Sequence, residues 1–485
     1  MTPEHDFAME SARLDERLQE CAALRAAGPH PRRPEVPADV SAADWARAHE
    51  LFQTLLATAA DGTGAAAACI GALADLCVYV RNAVALGRSN QDGASAAGVV
   101  GDVAATVRLA GGPAGAAPCL AAAGQALSNA VTQNQPLQLA LLESELGCCA
   151  AAEDTAYGCL LSAESGAART AGLVLLVNSV RAHGVLCRTL CAAGAGRALA
   201  RRVGELFGES VDDAAEDKEP LFAVLSELAS HGQLGVLLAE AAPLGAPGLL
   251  DALAVHCREH DDPARHARLA DAELVRALAR ALAATRAVLE RLRADESTTD
   301  PDDILAARRC ARSALAALVL LTADMEPALS ARLCDCGVVR EAVQLLGLLS
   351  AYLPRAEKIG AGGAGTGGGD GSSESPVPRM FMFKRELIQI IGHAAHRNPA
   401  AQDLVRELGG LALVLDHTRI DDNHPYIREY AVVALRGLLD GNAASQACVE
   451  SMEARGVSQD PQLTQAGLRV RLGPDGRPVV SRRAE

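Results

Sequence analysis

One spacing constrains this chain more than any other feature. Asn398, Gln402 and Val405 recur 44 residues later as Asn442, Gln446 and Val449, and in the same register Ile391 falls on Leu435 and Ala394 on Leu438. A helical repeat of roughly 40–47 residues is the period of armadillo and HEAT arrays. In such arrays no unit buries its apolar face alone, so each must stack on its neighbour. The stretch from Phe381 to Glu453 is therefore read as the best-preserved end of a stacked array.

The same grammar recurs upstream in weaker copies. They are Ala126 to Leu139, including Asn129 and Asn134; Leu175 to Leu186; Val224 to Leu237; and Leu315 to Val339, whose Leu333 and Gly337 align on Val405 and Gly409. Each reads as a long helix, a polar turn, a short helix, a Gly break and a third helix. The predicted fold is all-α: a right-handed α-solenoid of about six to eight armadillo/HEAT-like repeats. The tail from Gly467 to Val480 alternates about Pro474-Asp475-Gly476 and predicts a short C-terminal β-hairpin. The domain reading is an N-terminal helix with a Pro-rich break over 1–40, the repeat array over 41–355, a Gly/Ser-rich linker over 356–378, the C-terminal block over 379–455 and the tail over 456–485.

Composition narrows the function classes. Apolar residues make up 49% of the 485 residues while aromatics are 2%, so small side chains must supply the core and favour close helix approach. The net charge of −15 argues against general nucleic-acid binding, which needs a basic surface. The 14 cysteines sit in apolar helical runs and no apolar segment opens the chain, which predicts reduced thiols in a cytosolic or nuclear compartment. No run reaches the length of a membrane span, so no membrane insertion is expected.

The candidate chemical motifs fare poorly. Gly362 to Gly371 has Gly-x-Gly-x-x-Gly spacing, but lacks the strand before and helix after that a phosphate cradle needs. His393 and His396 share a helix face without a third ligand or a Glu base, so a metalloenzyme is a remote alternative. Cys148-Cys149, Cys187 with Cys191, and Cys334 with Cys336 lack zinc-site spacing and read as helical packing. No nucleophile elbow or kinase signature is present. The expectation is therefore no catalytic residues, no metal and no cofactor.

Asp421-Asp422-Asn423-His424-Pro425 reads as a helix start, with Asp422 or Asn423 as cap and Pro425 in the first turn. Together with Tyr426 it is also a projecting loop on which a partner could dock.

The C-terminal block resembles the ataxin-10 family. The resemblance is carried by Phe383-Lys384, Leu387-Ile388, Ile391-Gly392, Asn398, Gln402-Asp403, Arg406-Glu407-Leu408 and Leu413 to Asp416. It continues through Asp421 to Pro425, Glu429-Tyr430-Ala431, Ala434-Leu435-Arg436, the Asn442 and Gln446 pair, Met452-Glu453 and the tail. It covers roughly 100 residues. Two positions depart from the family pattern: His393 and Gly437 stand where the family has Asn. In armadillo arrays such Asn residues line the concave groove and hold extended peptides.

The resemblance implies a non-catalytic, cytoplasmic scaffold that binds other proteins, with roles in cytokinesis, at the centrosome or ciliary basal body, and in neuron survival and neurite growth. It also implies a perinuclear or centrosomal location, and it leaves homo-oligomerisation open. The alternative is an importin-like cargo adaptor, which needs ladders of Trp and Asn, whereas Trp45 is the one Trp of this chain. The candidate site residues are thus the loop Asp421, Asp422, Asn423, His424, Pro425 and Tyr426. The repeat-motif positions are Asn129, Asn134, Asn398, Gln402, Asn442 and Gln446.

Overall fold

A computed structural model describes residues 15–26, 39–60, 66–111, 116–209 except 182 and 193, 218–240, 247–259, 262, 266, 269–295, 299–353, 383–419, 421, 426–452, 465, 467–473 and 478–482. The segment read as a linker over 356–378, residues 1–14 and 27–38 of the N-terminal helix and Pro-rich break, and residues 422–425 lie outside these. The described residues are helical apart from one two-stranded sheet. The chain divides into two compact units, Met1–Ala277 and Leu278–Glu485.

In the first unit, helices Ala66–Val84, Ala117–Val131, Gly166–Val180 and Lys218–Ser230 stack side by side like rungs. After each comes a short step helix: Arg88–Ala96, Gln135–Cys148, Gly184–Cys191 and Gln233–Glu240. A third helix follows each step: Val99–Ala110, Ala156–Leu161, Ala195–Glu209 and Pro247–Glu259. Ahead of this series, Ala42–Ala60 buries Trp45, Leu51, Phe52 and Leu55. Residues 15–26, the described part of the expected N-terminal helix, are helical and pack nearby through Arg17 to Thr54 and Arg47 to Glu20. Ala66–Val84 is long and apolar enough to cross a membrane on length and composition alone, but it buries Cys69, Leu73, Leu76, Cys77 and Val80 in this stack, as a core helix does.

The second unit repeats the scheme. Its rungs are Pro301–Thr322, Phe383–Ala395 and Ile427–Leu439; its steps are Pro327–Asp335, Pro399–Glu407 and Ala443–Glu450; its third helices are Val338–Tyr352 and Gly410–Asp416. Small residues set the rung spacing. A Cβ on Gly392 would lie 2.9 Å from the Ala434 Cβ, so the rungs Phe383–Ala395 and Ile427–Leu439 meet nearly backbone to backbone. Leu387, Ile388, Ile390 and Ile391 fill the space around that contact and are fully buried.

The punctuation between helices is chemical. The residue before the caps Asn134, Glu326, Asn398 and Asn442 of four step helices is left-handed: Gln133, Met325, Arg397 and Gly441 have φ between 51° and 69°. The expected Gly breaks are Gly98, Gly337 and Gly409, left-handed at φ 85°, 88° and 75°, where an L side chain would be strained. Strands Leu468–Leu472 and Pro478–Arg482 pair antiparallel, Val470 opposite Val480, as the predicted hairpin.

Candidate functional site

The recurring Asn and Gln positions form a hydrogen-bonded stitch between repeats. Asn134, Asn398 and Asn442 are the caps of three step helices, accepting from the amides of Leu137, Ala401 and Ser445 at 3.3, 3.2 and 2.8 Å. This satisfies a donor that the helix itself cannot. Glu326 does the same for Leu329 at 2.8 Å.

Four residues beyond each cap sits the stitching side chain. Gln402 is buried, and its Nε2 donates to Ala395 O at 3.2 Å in its own repeat and to Gly437 O and Asp440 O at 2.9 and 3.1 Å in the next. Gln138 likewise donates to Val131 O and Asn178 O at 3.0 and 2.8 Å. Gln91 donates to Asn129 O and Thr132 O at 2.9 and 3.2 Å. Ser330 takes the same place with a bond to Ala394 O at 2.5 Å, and Cys187 with long contacts to Val180 O and Glu227 O. Gln446, in the last repeat, donates to Leu439 O at 2.8 Å in its own repeat.

A second column runs along the rungs, five residues before each cap. Asn129 donates to Arg81 O at 3.1 Å, and Asn178 to Ser128 Oγ and Thr132 Oγ1 at 2.9 and 3.0 Å. Each reaches back to the preceding rung, so its amide is engaged within the array. His393 occupies this column and contacts Thr322 Oγ1 through Nδ1 at 2.8 Å. Burial holds its pKa below the usual value, and the nearby His396 adds to that effect. Gly437 leaves the column empty of a side chain. Among the described residues no group of three or more His, Cys, Asp or Glu is arranged to hold a metal.

Along the same side of the last two rungs the surface changes character. Tyr426 is 71% exposed, Tyr430 36% and Val433 62%, and their spacing puts them on one helix face. The equivalent positions of the neighbouring rung hold half-buried Glu386 and Gln389. Burial pushes the Glu386 carboxyl up to about 6 against the pull of Arg385, and its Oε2 has no hydrogen-bond partner among the described residues.

The loop read as a projecting site divides in two. Asp422, Asn423, His424 and Pro425 lie outside the described residues. Asp421 is buried and Tyr426 is exposed. The expected helix start is displaced: the helix begins at Ile427, and its N-cap is Tyr426, left-handed at φ 70° with no side-chain cap bond. Neither Asp422 nor Asn423 is near enough in sequence to cap it, and Pro425 precedes its first turn.

Asp421 belongs to a polar cluster. With Ser350, Lys384, Asp416, His417 and Arg419 it lines a cavity of about 20 Å³. Lys384 is buried and its ammonium donates to Leu353 O. Burial lowers its pKa, opposed by Asp421 and Asp416. His417 Nδ1 lies 2.8 Å from Leu413 O, and burial lowers its pKa too. The cluster ties helices Val338–Tyr352, Phe383–Ala395 and Gly410–Asp416 together.

The thiol expectation needs one correction. Cys187 and Cys191 are buried as expected, but Cys334 and Cys336 are only half-buried, and Cys148 is exposed at a helix end, with its Sγ 3.3 Å from that of half-buried Cys149. Helix Gln135–Cys148 ends here, so these side chains leave the apolar face.

Residues 383–481, which hold the last two rungs, most of the polar cluster and nearly all of the hairpin, match the family model described as the spinocerebellar ataxia type 10 protein domain. The C-terminal block is similar to the ataxin-10 family over these residues. It is similar to the ataxin-10 homolog of Dictyostelium discoideum, with 42% identity over 94 residues, 19% of this chain and 15% of that protein. The homolog of Saccharomyces cerevisiae is 43% identical over 94 residues, 19% of this chain and 17% of its own. Human ataxin-10 is 34% identical over 88 residues, 18% of each chain. These matches span less than a fifth of the relatives' lengths.

Within the ataxin-10 block, sequence reasoning missed the Lys384, His417 and Asp421 cluster, Glu386, and the exposed Val432 and Val433. A signal for the last two was present: Val432-Val433 extends the apolar run of a rung beyond the width of one buried face.

Proposed function

We propose that this protein is a non-catalytic scaffold of the ataxin-10 type, which binds other proteins through the inner surface of its C-terminal block. The observation that carries the reading is the exposed row Tyr426, Tyr430 and Val433 beside half-buried Glu386 and Gln389, inside the ataxin-10 block. Exposed aromatic and aliphatic side chains at the centre of a curved helical face are the usual anchors of protein interfaces. A partly desolvated carboxylate beside them favours a partner that brings a cationic side chain. The array carries this surface on a rigid frame, because the Gln402 stitch and the Lys384 cluster fix the rungs.

We place the scaffold in the cytoplasm, serving complexes of cell division or of the centrosome and ciliary basal body. The resemblance of the block motivates that placement, and imaging of the tagged chain through mitosis tests it. An importin-like adaptor is less well supported. Trp45 is 2% exposed and packs against Tyr79, and Asn129 and Asn178 engage the preceding rungs. The general test is quantitative affinity purification of the whole chain and of a chain lacking 379–455. Loss of a reproducible partner set with the deletion is expected, and unchanged recovery would move the function elsewhere in the array.

A further inference from the structure

We propose that the C-terminal hairpin, Leu468–Leu472 with Pro478–Arg482, docks on the outer end of the last repeat and caps the array. Two incomplete surfaces of the same unit motivate this. The first is the end face. In the rung Phe383–Ala395, residues Ile388, Ile391 and Ala395 are fully buried where the next rung packs. Their counterparts 44 residues later are Val432, Leu435 and Leu439; Val432 is 51% exposed and the other two are half-buried. The stitch is incomplete at the same place. Gln402 donates to two carbonyls of the following repeat, whereas the equivalent Gln446 is exposed and donates within its own.

The second surface is on the hairpin. Its register sets Leu468 beside Arg482 and Val470 beside Val480 on one face, and Arg469 beside Ser481 and Arg471 beside Val479 on the other. Val480 is 60% exposed. A two-stranded hairpin is marginal in water until one face is covered. Each of its strands also has an outer edge of unpaired carbonyls. Those are the acceptors that the open side of Gln446 lacks.

Two facts favour this occupant. The family match runs without a break from the rung at 383 through the hairpin to 481, so block and hairpin recur together. The chain between Met452 and Leu468 reaches at most about 50 Å when extended, enough to lay the hairpin over the end face of the helices to which it is tethered. Docked, the hairpin would put Val470 and Val480 on Val432 and Leu439, offer an edge carbonyl to Gln446, and leave Arg469 and Arg471 in water.

The test is amide hydrogen exchange on the full chain and on V480D, V432D and Q446A at two protein concentrations tenfold apart, with mass by light scattering. V480D lies on the hairpin and leaves the helical block intact. Docking predicts that V480D speeds exchange in Ile427–Leu439 at least fivefold, that V432D does the same in 468–482, and that neither effect depends on concentration. Absence of the reciprocal effect overturns the proposal. Protection of the end face that rises with concentration and mass also overturns it, assigning the face to a second copy. Neither result bears on the inner surface proposed for partners.

Discussion

Replacing Gln402 with leucine isolates the stitch between repeats. Leucine keeps most of the volume of this buried side chain and removes its donor. Three carbonyls lie at 2.9–3.2 Å from Nε2. The amide has two protons, so at most two of these bonds are fully made at once. Each buried bond contributes about 1 kcal/mol net, and a carbonyl left dry without a partner costs about 1–3 kcal/mol. The expected loss is therefore about 2–3 kcal/mol. Gln446→Leu removes one bond at an exposed site, and its cost should stay below about 1 kcal/mol. Because the chain has two units, a single unfolding midpoint would mix their transitions. Native-state exchange of the amides in Pro399–Glu407 and Ile427–Leu439 reads the block alone. With about 1.4 kcal/mol per factor of ten, Gln402→Leu should speed exchange there by roughly 30- to 150-fold, and Gln446→Leu by less than about fivefold. Equal effects of the two variants would refute the idea that the stitch holds the repeats together.

Other perturbations follow from the same geometry. Gly392→Ala drives a methyl to 2.9 Å from Ala434 and should cost about 1–3 kcal/mol, read from native-state exchange of the amides in Phe383–Ala395 and Ile427–Leu439. Gly437→Ala, whose nearest neighbour would be 3.5 Å away, should be neutral or stabilise by up to about 1 kcal/mol through helix propensity. Asn398→Ala should cost about 1–2 kcal/mol, because it removes the cap on Ala401 and the bond to Ser330 at 2.7 Å. Glu386 has its folded-state pKa raised from 4.5 to about 6, so the folded state binds the proton more tightly and stability falls as pH rises across that window. Glu386→Gln should remove this slope and stabilise by up to about 2 kcal/mol at pH 7.5, measured by native-state exchange of the same amides at pH 4.5 and 7.5. His393 and His417 are shifted the other way: the unfolded state binds their protons more readily, so they lower stability as pH falls below 6.5, and a His417→Gln variant should lessen that loss.

The sequence carried the architecture because the stacking code is periodic. Asn398 and Asn442 repeat at a fixed interval since each must cap a short helix just after a left-handed residue, and the pattern survives where side chains vary. The partners of Gln402 were not legible. They are backbone carbonyls of the next repeat, which no side-chain pattern marks, and Ser330 and Cys187 do the same job without looking alike. Lys384 was hidden for a different reason. A lysine beside Phe383 reads as a solvent-reaching side chain, and only the fold brings the Leu353 carbonyl, Asp416 and Asp421 around it. The start of the last rung was misplaced because Asp, Asn and Pro in series are strong start signals, whereas the chain enters the helix through left-handed Tyr426. The surface proposed for partners was visible only as an apolar run; which part of Tyr430-Ala431-Val432-Val433 faces outward depends on where the neighbouring rung packs.

The central claim is that the inner face of the ataxin-10 block recruits proteins. Quantitative affinity purification of the full chain against Y430A/V433D, with folding checked by exchange of Phe383–Ala395, tests it most directly. Partners dependent on residues 379–455 are expected to fall at least tenfold in recovery while the block's exchange stays unchanged. Full recovery of those partners by the folded double variant would contradict it.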